Sequence, residues 1–315
     1  MEVTALFLQT LETILPVFAM VFIGIGLKRA GWIDQDFVAT ASMLVFKATL
    51  PTLIFLSIIR ADLSATLNPA LLGAFALATL GSVLFCWGWA VLRVPREERG
   101  VYIQGAFRGN CGIVGLALAA GMYGDYGLSA GGLLLGVVIL TYNSLSVIAL
   151  ASYSAGQHTD WRSILTHIAT NPLILAVIAA VPVAAIGVSL PGWLMTSGDY
   201  FASLTLPLAL ICIGATLSLR ELRESGRLAF SASLMKTVTL PALATGAVWL
   251  AGFEGRELGL MFLFFASPTA AAAFVMARAM GGNAALTANI VALTTLMASL
   301  TITLGAFTLR AAGLI

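Results

Sequence analysis

Residues 105–117 read Gly-Ala-Phe-Arg-Gly-Asn-Cys-Gly-Ile-Val-Gly-Leu-Ala, and residues 265–275 read Phe-Ala-Ser-Pro-Thr-Ala-Ala-Ala-Ala-Phe-Val. Both stretches lie in apolar runs long enough to cross a bilayer, and both contain what a continuous helix avoids. In the first, Gly109, Asn110 and Gly112 cluster; glycine weakens a helix and asparagine prefers caps to interiors. In the second, Pro268 removes a backbone donor and clashes one turn back. Ser267 is suited to cap a new half-helix with Pro268 at its first position, continued by Thr269 and four alanines. Irregular backbone at membrane depth is tolerated only where protein or a water-lined cavity covers it. Two helices that restart at the midplane present partly positive N-termini with unpaired N–H groups, which is an anion site. Asn110, Ser267 and Thr269 add side-chain hydrogen bonds there, and Cys111 and Gly112 form the first turn after the break. The competing reading of each break is a kink that improves packing. Two breaks at corresponding places favour a substrate site.

Composition sets the class around these breaks. Apolar residues make up 60% of the 315, charged residues 10%, and mean hydropathy is +1.00. Soluble domains run at about 45–50% apolar and about 25% charged. At roughly 20 apolar residues per crossing, the chain has room for about ten spans, near 8–27, 36–59, 69–92, 100–123, 128–152, 164–187, 197–219, 228–251, 257–280 and 285–309. Asn68-Pro69 and Asn171-Pro172 mark two starts, each a cap residue followed by proline at the first helical position. The N-terminus has Glu2 and Glu12 but no basic residue before its first apolar run, the reverse of a signal peptide. The first helix is therefore expected to stay in the mature protein. Cys86, Cys111 and Cys212 all lie in apolar runs at no metal-ligand spacing, so neither a disulfide framework nor a metal is expected. No linker or soluble domain is left over, and scattered cations imply no nucleic-acid partner.

The basic residues give a topology. Alternate loops hold Lys28 and Arg29; Arg93, Arg96 and Arg99; Arg162; Arg220, Arg223 and Arg227; and Arg278, ten in all, against Arg60, Arg256 and Arg310 on the other side. The positive-inside rule makes the ten-cation side cytoplasmic and, with an even number of spans, puts both termini outside a cell (inner) membrane. The sequence also holds a faint copy of itself. Pro16 and Pro172, like Pro51 and Pro207, differ by 156 positions, and Thr-Leu-Pro stands at both 49–51 and 205–207. Asn110 and Pro268 differ by 158. Scattered prolines also align by chance, but the shared tripeptide and matching break favour a repeat. Five spans per copy is an odd number, so residues 1–155 and 156–315 would be inverted relative to one another, as alternating access requires.

The polar residues within spans refine this expectation. Lys47 and Lys236 sit about one turn from Pro51 and Pro241, where each faces a cavity or partner or snorkels to an interface. Arg108 is expected to reach cytoplasmic water. Asn143, at mid-span in span five, reads equally as helix–helix glue or as a substrate contact. All fourteen acids fall in tails, loops or span ends, so no carboxylate is placed to take up a proton or sodium inside the membrane. Asp-rich pyrophosphate sites are missing, and His158 and His167 lie in or near a loop without a zinc-protease pattern. No cofactor and no enzymatic chemistry are expected.

These residues resemble the auxin efflux carrier family, which spans plant carriers and bacterial carriers of small carboxylates. The resemblance covers essentially the whole chain. It rests on Leu-Pro at 50–51, Gly-Asn-Cys-Gly-Ile-Val-Gly-Leu at 109–116 with Tyr-Gly at 123–124, and Asn-Pro at 171–172. It continues with Leu-Pro-Leu-Ala-Leu-Ile-Cys-Ile-Gly-Ala-Thr-Leu at 206–217, Lys236 with Pro241, and Ser-Pro at 267–268 with Val-Met-Ala at 275–277. It implies an all-α membrane protein of ten transmembrane helices in two inverted five-helix repeats, with broken helices four and nine crossing at the substrate site. It further implies a scaffold of spans one, two, six and seven, a mobile part of spans three to five and eight to ten, and homodimers. The family's asparagine ligand for the substrate carboxylate corresponds to Asn110, and its span-nine proline to Pro268. Where the family has a proline shortly after the first break, this chain has Ala117, so the first crossing rests on the glycines and Asn110. The expected partner is a small organic anion carried across the lipid bilayer, with a sodium- or proton-coupled organic anion symporter as the alternative.

Overall fold

The computed structural model describes residues 2–60, 68–153, 169–187, 190–217 and 226–315. Arg162, Arg220, Arg223, both histidines, the expected start of span six and the end of span seven lie outside these residues. Within them the chain is helical, with one isolated β-bridge. In chain order the helices are α1 (Glu2–Arg29), α2 (Gln35–Arg60), α3 (Pro69–Arg93), α4 (Arg99–Phe107), α5 (Cys111–Ala151), α6 (Pro172–Ala185), α7 (Gly192–Thr216), α8 (Arg227–Leu250), α9 (Gly255–Ala266), α10 (Ala272–Ala279) and α11 (Ala284–Ala311).

Local chemistry explains the starts. Asn68 accepts hydrogen bonds from the amides of Ala70 and Leu71, and Asn171 accepts one from Leu173; in both, proline occupies the first helical position. Asp34 caps α2 through the Phe37 amide at 2.7 Å. The prolines within helices also leave a mark. The turns Val45–Thr49 in α2 and Met235–Thr239 in α8 widen to π-helix two residues before Pro51 and Pro241. A proline cannot donate to the carbonyl one turn back, so the ladder slips there. Helix α7 is interrupted at Leu204, just before Thr-Leu-Pro at 205–207.

Seven of these helices (α1, α2, α3, α5, α7, α8 and α11) are long and apolar enough to cross a membrane. Expected spans four, six and nine are not among the seven. The first half of span four and both pieces of span nine are too short to count. Only 14 residues of span six appear as α6. The second half of span four and all of span five run together as α5, which bends at Gly124, where φ is 55°. Only glycine adopts that conformation without strain.

Helix α1 packs along the second half of α7, and the end of α2 along α6. The first contact is close: a Cβ on Gly24 would fall on the Ile211 carbonyl oxygen, and one on Gly214 on that of Val21. Helices α3, α4, α5, α8, α9 and α11 pack among themselves. Their shared centre holds Phe75, stacked on Phe265 at 4.8 Å, edge-on to Phe264 and beside Tyr142, with Phe107 edge-on to Tyr142. Large apolar side chains such as Leu77, Leu92, Ile178 and Leu250 are exposed on the outer surface. So extensive an apolar surface suits hydrocarbon chains rather than water.

Candidate functional site

The two breaks meet. Gly109 and Thr269 form an antiparallel bridge, in which the Asn110 amide donates to the Pro268 carbonyl at 2.7 Å and the Ala270 amide to the Arg108 carbonyl at 3.0 Å. Two strands of two or three residues thus cross where α4 gives way to α5 and α9 to α10. Each satisfies backbone groups that the interrupted helices leave open.

After the first break, the Asn110 carbonyl accepts from both Val114 and Gly115, which makes the turn Cys111–Gly115 a π-helix. The amides of Cys111, Gly112 and Ile113 precede that first intrahelical bond. The side chain of Asn110 is half-buried and makes no hydrogen bond to the described residues. Gly112 is half-buried beside it, while the Cys111 thiol is buried and donates to the Phe264 carbonyl at 3.3 Å.

The second break corrects the expected cap. Ser267 does not start the new half-helix; it ends α9, and its hydroxyl donates back to the Leu263 carbonyl at 2.8 Å. Pro268 and Thr269 stay extended because they pair with the first break. The helix resumes only at Ala272, with Ala271 as its cap. The free amides of that N-terminus are therefore those of Ala271 and Ala272, both exposed. Thr269, expected to offer its hydroxyl to a substrate, donates it to the Gly105 carbonyl at 2.7 Å, and its amide donates to the Thr294 hydroxyl at 3.0 Å. It is a strut between α4 and α11.

Lys236 does not snorkel. It is 1% exposed, and its ammonium donates to the Phe265 carbonyl at 2.7 Å, so the charge lies at the C-terminal, partly negative end of α9. The ammonium also sits against Gly109: a Cβ there would lie 3.1 Å from Nζ. Lys47, by contrast, is exposed on the outer face of α2.

Arg108 overturns a second expectation. It does not reach cytoplasmic water but is 8% exposed. Its guanidinium donates to the Ser146 hydroxyl at 3.0 Å, the Met276 sulfur at 2.9 Å and the Asn143 side-chain oxygen at 2.8 Å, with the Tyr142 carbonyl at 3.4 Å. Asn143 is thus brought to the crossing by Arg108. Ser146, Met276 and the Phe265 carbonyl are site residues that sequence reasoning missed. The three-residue spacing of Asn143 and Ser146, which puts both on one face of a helix, was the available signal for Ser146.

Neither buried cation has a carboxylate partner among the described residues. Among the described residues the one ion pair is Arg60–Asp199, at 2.7 Å and nearly half-exposed. A cation at the centre of a transmembrane helix costs on the order of 2.5–3.5 kcal/mol on insertion scales. Here two such charges stand beside two sets of helix N-terminal amides, around one crossing.

Residues 9–158 and 157–305 match the membrane transport protein family. An uncharacterized transporter of Methanothermobacter thermautotrophicus is 26% identical over 281 residues, 86% of this chain and 89% of the relative. Uncharacterized transporters of Methanocaldococcus jannaschii and Escherichia coli are 23% and 22% identical, each over 84% of this chain and over 88% and 86% of their own lengths. The chain belongs to the membrane transport protein family, the auxin-efflux-like group that its motifs resemble, and is a multi-pass membrane transporter.

Proposed function

We propose that this transporter moves small organic anions, carboxylates foremost, by alternating access, and binds them where the two broken helices cross. One observation carries the reading: Lys236 and Arg108 are buried without any carboxylate partner among the described residues, next to the unpaired amides that begin α5 and α10. Such a site is short of negative charge, and an anion supplies it. Asn110, whose side chain has no protein partner there, is the natural ligand for one carboxylate oxygen.

The same reading takes the chain as ten spans in two inverted repeats. In its support, Thr-Leu-Pro stands at both 49–51 and 205–207, and each copy follows an irregular turn, Val45–Thr49 in α2 and Leu204 in α7. The hydroxyls of Thr49 and Thr205 are both buried without a hydrogen-bond partner. The close packing of α1 with α7 and of α2 with α6 suits a scaffold against which the helices around the crossing move.

The expected result of a thermal-shift screen on the purified protein follows directly. Malonate, malate, lactate or indole-3-acetate should raise the melting temperature, by about 2.7 kcal/mol of stabilisation at a hundred times the dissociation constant. The corresponding neutral amides should not. Equal shifts from amides and carboxylates, or none from any carboxylate, would remove the anion reading.

Both termini are proposed to lie outside the cell. In support, besides the charge bias of the loops, Arg310 near the end of α11 donates to the Thr10 hydroxyl in the first third of α1 at 3.2 Å, as expected of two chain ends on the same face. A C-terminal alkaline phosphatase fusion should be active and a C-terminal green fluorescent fusion dark. The opposite pattern refutes this orientation.

A further inference from the structure

Asn143 is held in a way its packing does not require. Its side-chain oxygen accepts a hydrogen bond from the Arg108 guanidinium at 2.8 Å. A guanidinium has donors and no acceptor, so the amide oxygen, not the nitrogen, must face Arg108. The Asn143 nitrogen is therefore turned away, and neither of its hydrogens has an acceptor among the described residues. Arg108 is buried, whereas Asn143 is half-buried at the same level of the crossing.

The remaining partners of Arg108 fix it firmly. Ser146 and the Tyr142 carbonyl hold it to α5, and the Met276 sulfur holds it to α10. Its own carbonyl accepts from Ala270 in the second break. A residue whose side chain and backbone bridge both broken helices and α5 sets the direction in which the Asn143 amide points. The neighbouring groups on α5 add no competing acceptor: the Tyr142 carbonyl and the Ser146 hydroxyl are themselves engaged by Arg108.

We propose that Asn143 offers its amide N–H groups to the substrate anion, with Arg108 as the positioning residue that turns them toward it. This rests on the anion-carrier reading above and extends it. The donor set then draws on two parts of α5: the side chain of Asn110 and the amides of Cys111, Gly112 and Ile113 at its start, and Asn143 near its end. Asparagine serves there better than a carboxylate. It keeps the oxygen that Arg108 needs while leaving the positive charge of Arg108 unneutralised for the substrate.

That last point supplies the test. Asn143→Asp keeps an oxygen acceptor for Arg108, now as an ion pair, but replaces the donor face with negative charge. The empty variant should melt at or above the wild-type temperature. Binding of whichever carboxylate stabilises the wild type should fall about ten- to a hundredfold, the loss expected for a charge-assisted hydrogen bond. Wild-type binding by Asn143→Asp, or by a folded Asn143→Ala that adds no charge, overturns the proposal; a loss in both shows that the missing donor and not only the new charge causes it. Arg108→Gln tests positioning. It should weaken binding more in the wild-type background than in Asn143→Ala, where the loss of the Arg108 charge remains but the group it orients is already gone. Fully additive losses would show that Arg108 does not act through Asn143. A wild type that binds no carboxylate refutes the anion reading itself, which separates the two failures.

Discussion

Replacing Asn110 with alanine is expected to weaken carboxylate binding about ten- to a hundredfold and to leave expression and the melting temperature of the empty protein nearly unchanged. The magnitude is that of one hydrogen bond to a charged group, roughly 1.5–3 kcal/mol, converted at about 1.4 kcal/mol per tenfold. The selectivity of the effect follows from how Asn110 is used. Its backbone is committed: the amide donates to Pro268, and the carbonyl accepts from Val114 and Gly115. Alanine makes the same three bonds. Its side chain is half-buried and makes no hydrogen bond to the described residues, so truncation strands no buried partner. Isothermal titration or thermal-shift titration of Asn110→Ala with the best carboxylate checks this. A well-folded variant that binds as tightly as the wild type would place the anion elsewhere.

The crossing was legible in the sequence because it is written in residues that break helices. Gly109, Asn110 and Pro268 announce interruptions in runs that a bilayer would otherwise keep continuous, and the structure pairs those same residues across the break. What sequence spacing did not reveal is which groups the crossing consumes. Ser267 and Thr269 read as free hydroxyls, yet one back-bonds to Leu263 and the other closes on Gly105. That outcome depends on where the partner strand lies, and nothing local encodes it. The restart of the second half-helix at Ala272 rather than Pro268 has the same origin: tertiary pairing holds Pro268 and Thr269 extended, where a proline suited to the first helical position would otherwise open the helix. Arg108 was misread for a related reason. An arginine in an apolar run is expected to seek water, and the distant set of Asn143, Ser146 and Met276 that keeps it buried comes from two other helices. The terminal helix caps, by contrast, depend on adjacent residues alone, and Asn68 and Asn171 were read correctly for that reason.

Transport is expected to be electrogenic efflux that needs no sodium. Among the described residues neither Lys236 nor Arg108 has a carboxylate beside it, so none at the crossing is positioned to pick up a proton or sodium with the substrate. The candidate sodium-caging hydroxyls of Ser267, Thr269 and Thr294 are each tied to a helix or break carbonyl, and that of Thr294 also accepts from the Thr269 amide. The simplest cycle therefore carries the anion alone. A membrane potential of 100 mV acts on one charge with about 2.3 kcal/mol, which corresponds to roughly a fiftyfold gradient for a monoanion. Lys236 and Arg108 do not alter that total. If they move with the site, their displacement on the loaded step is reversed on the empty return, and one anion charge remains per cycle. They do alter which step feels the field: bound anion offsets them on the way out, while the empty site returns with its positive charge exposed. A cytoplasm at negative potential draws that return inward, so the potential acts through resetting of the empty site rather than on the loaded step. The experiment uses proteoliposomes preloaded with labelled carboxylate, with a potassium–valinomycin potential and no sodium or pH gradient. Efflux should rise when the lumen is made negative and fall when it is made positive. Flux that ignores the potential but follows a sodium or proton gradient would replace this carrier with a coupled symporter.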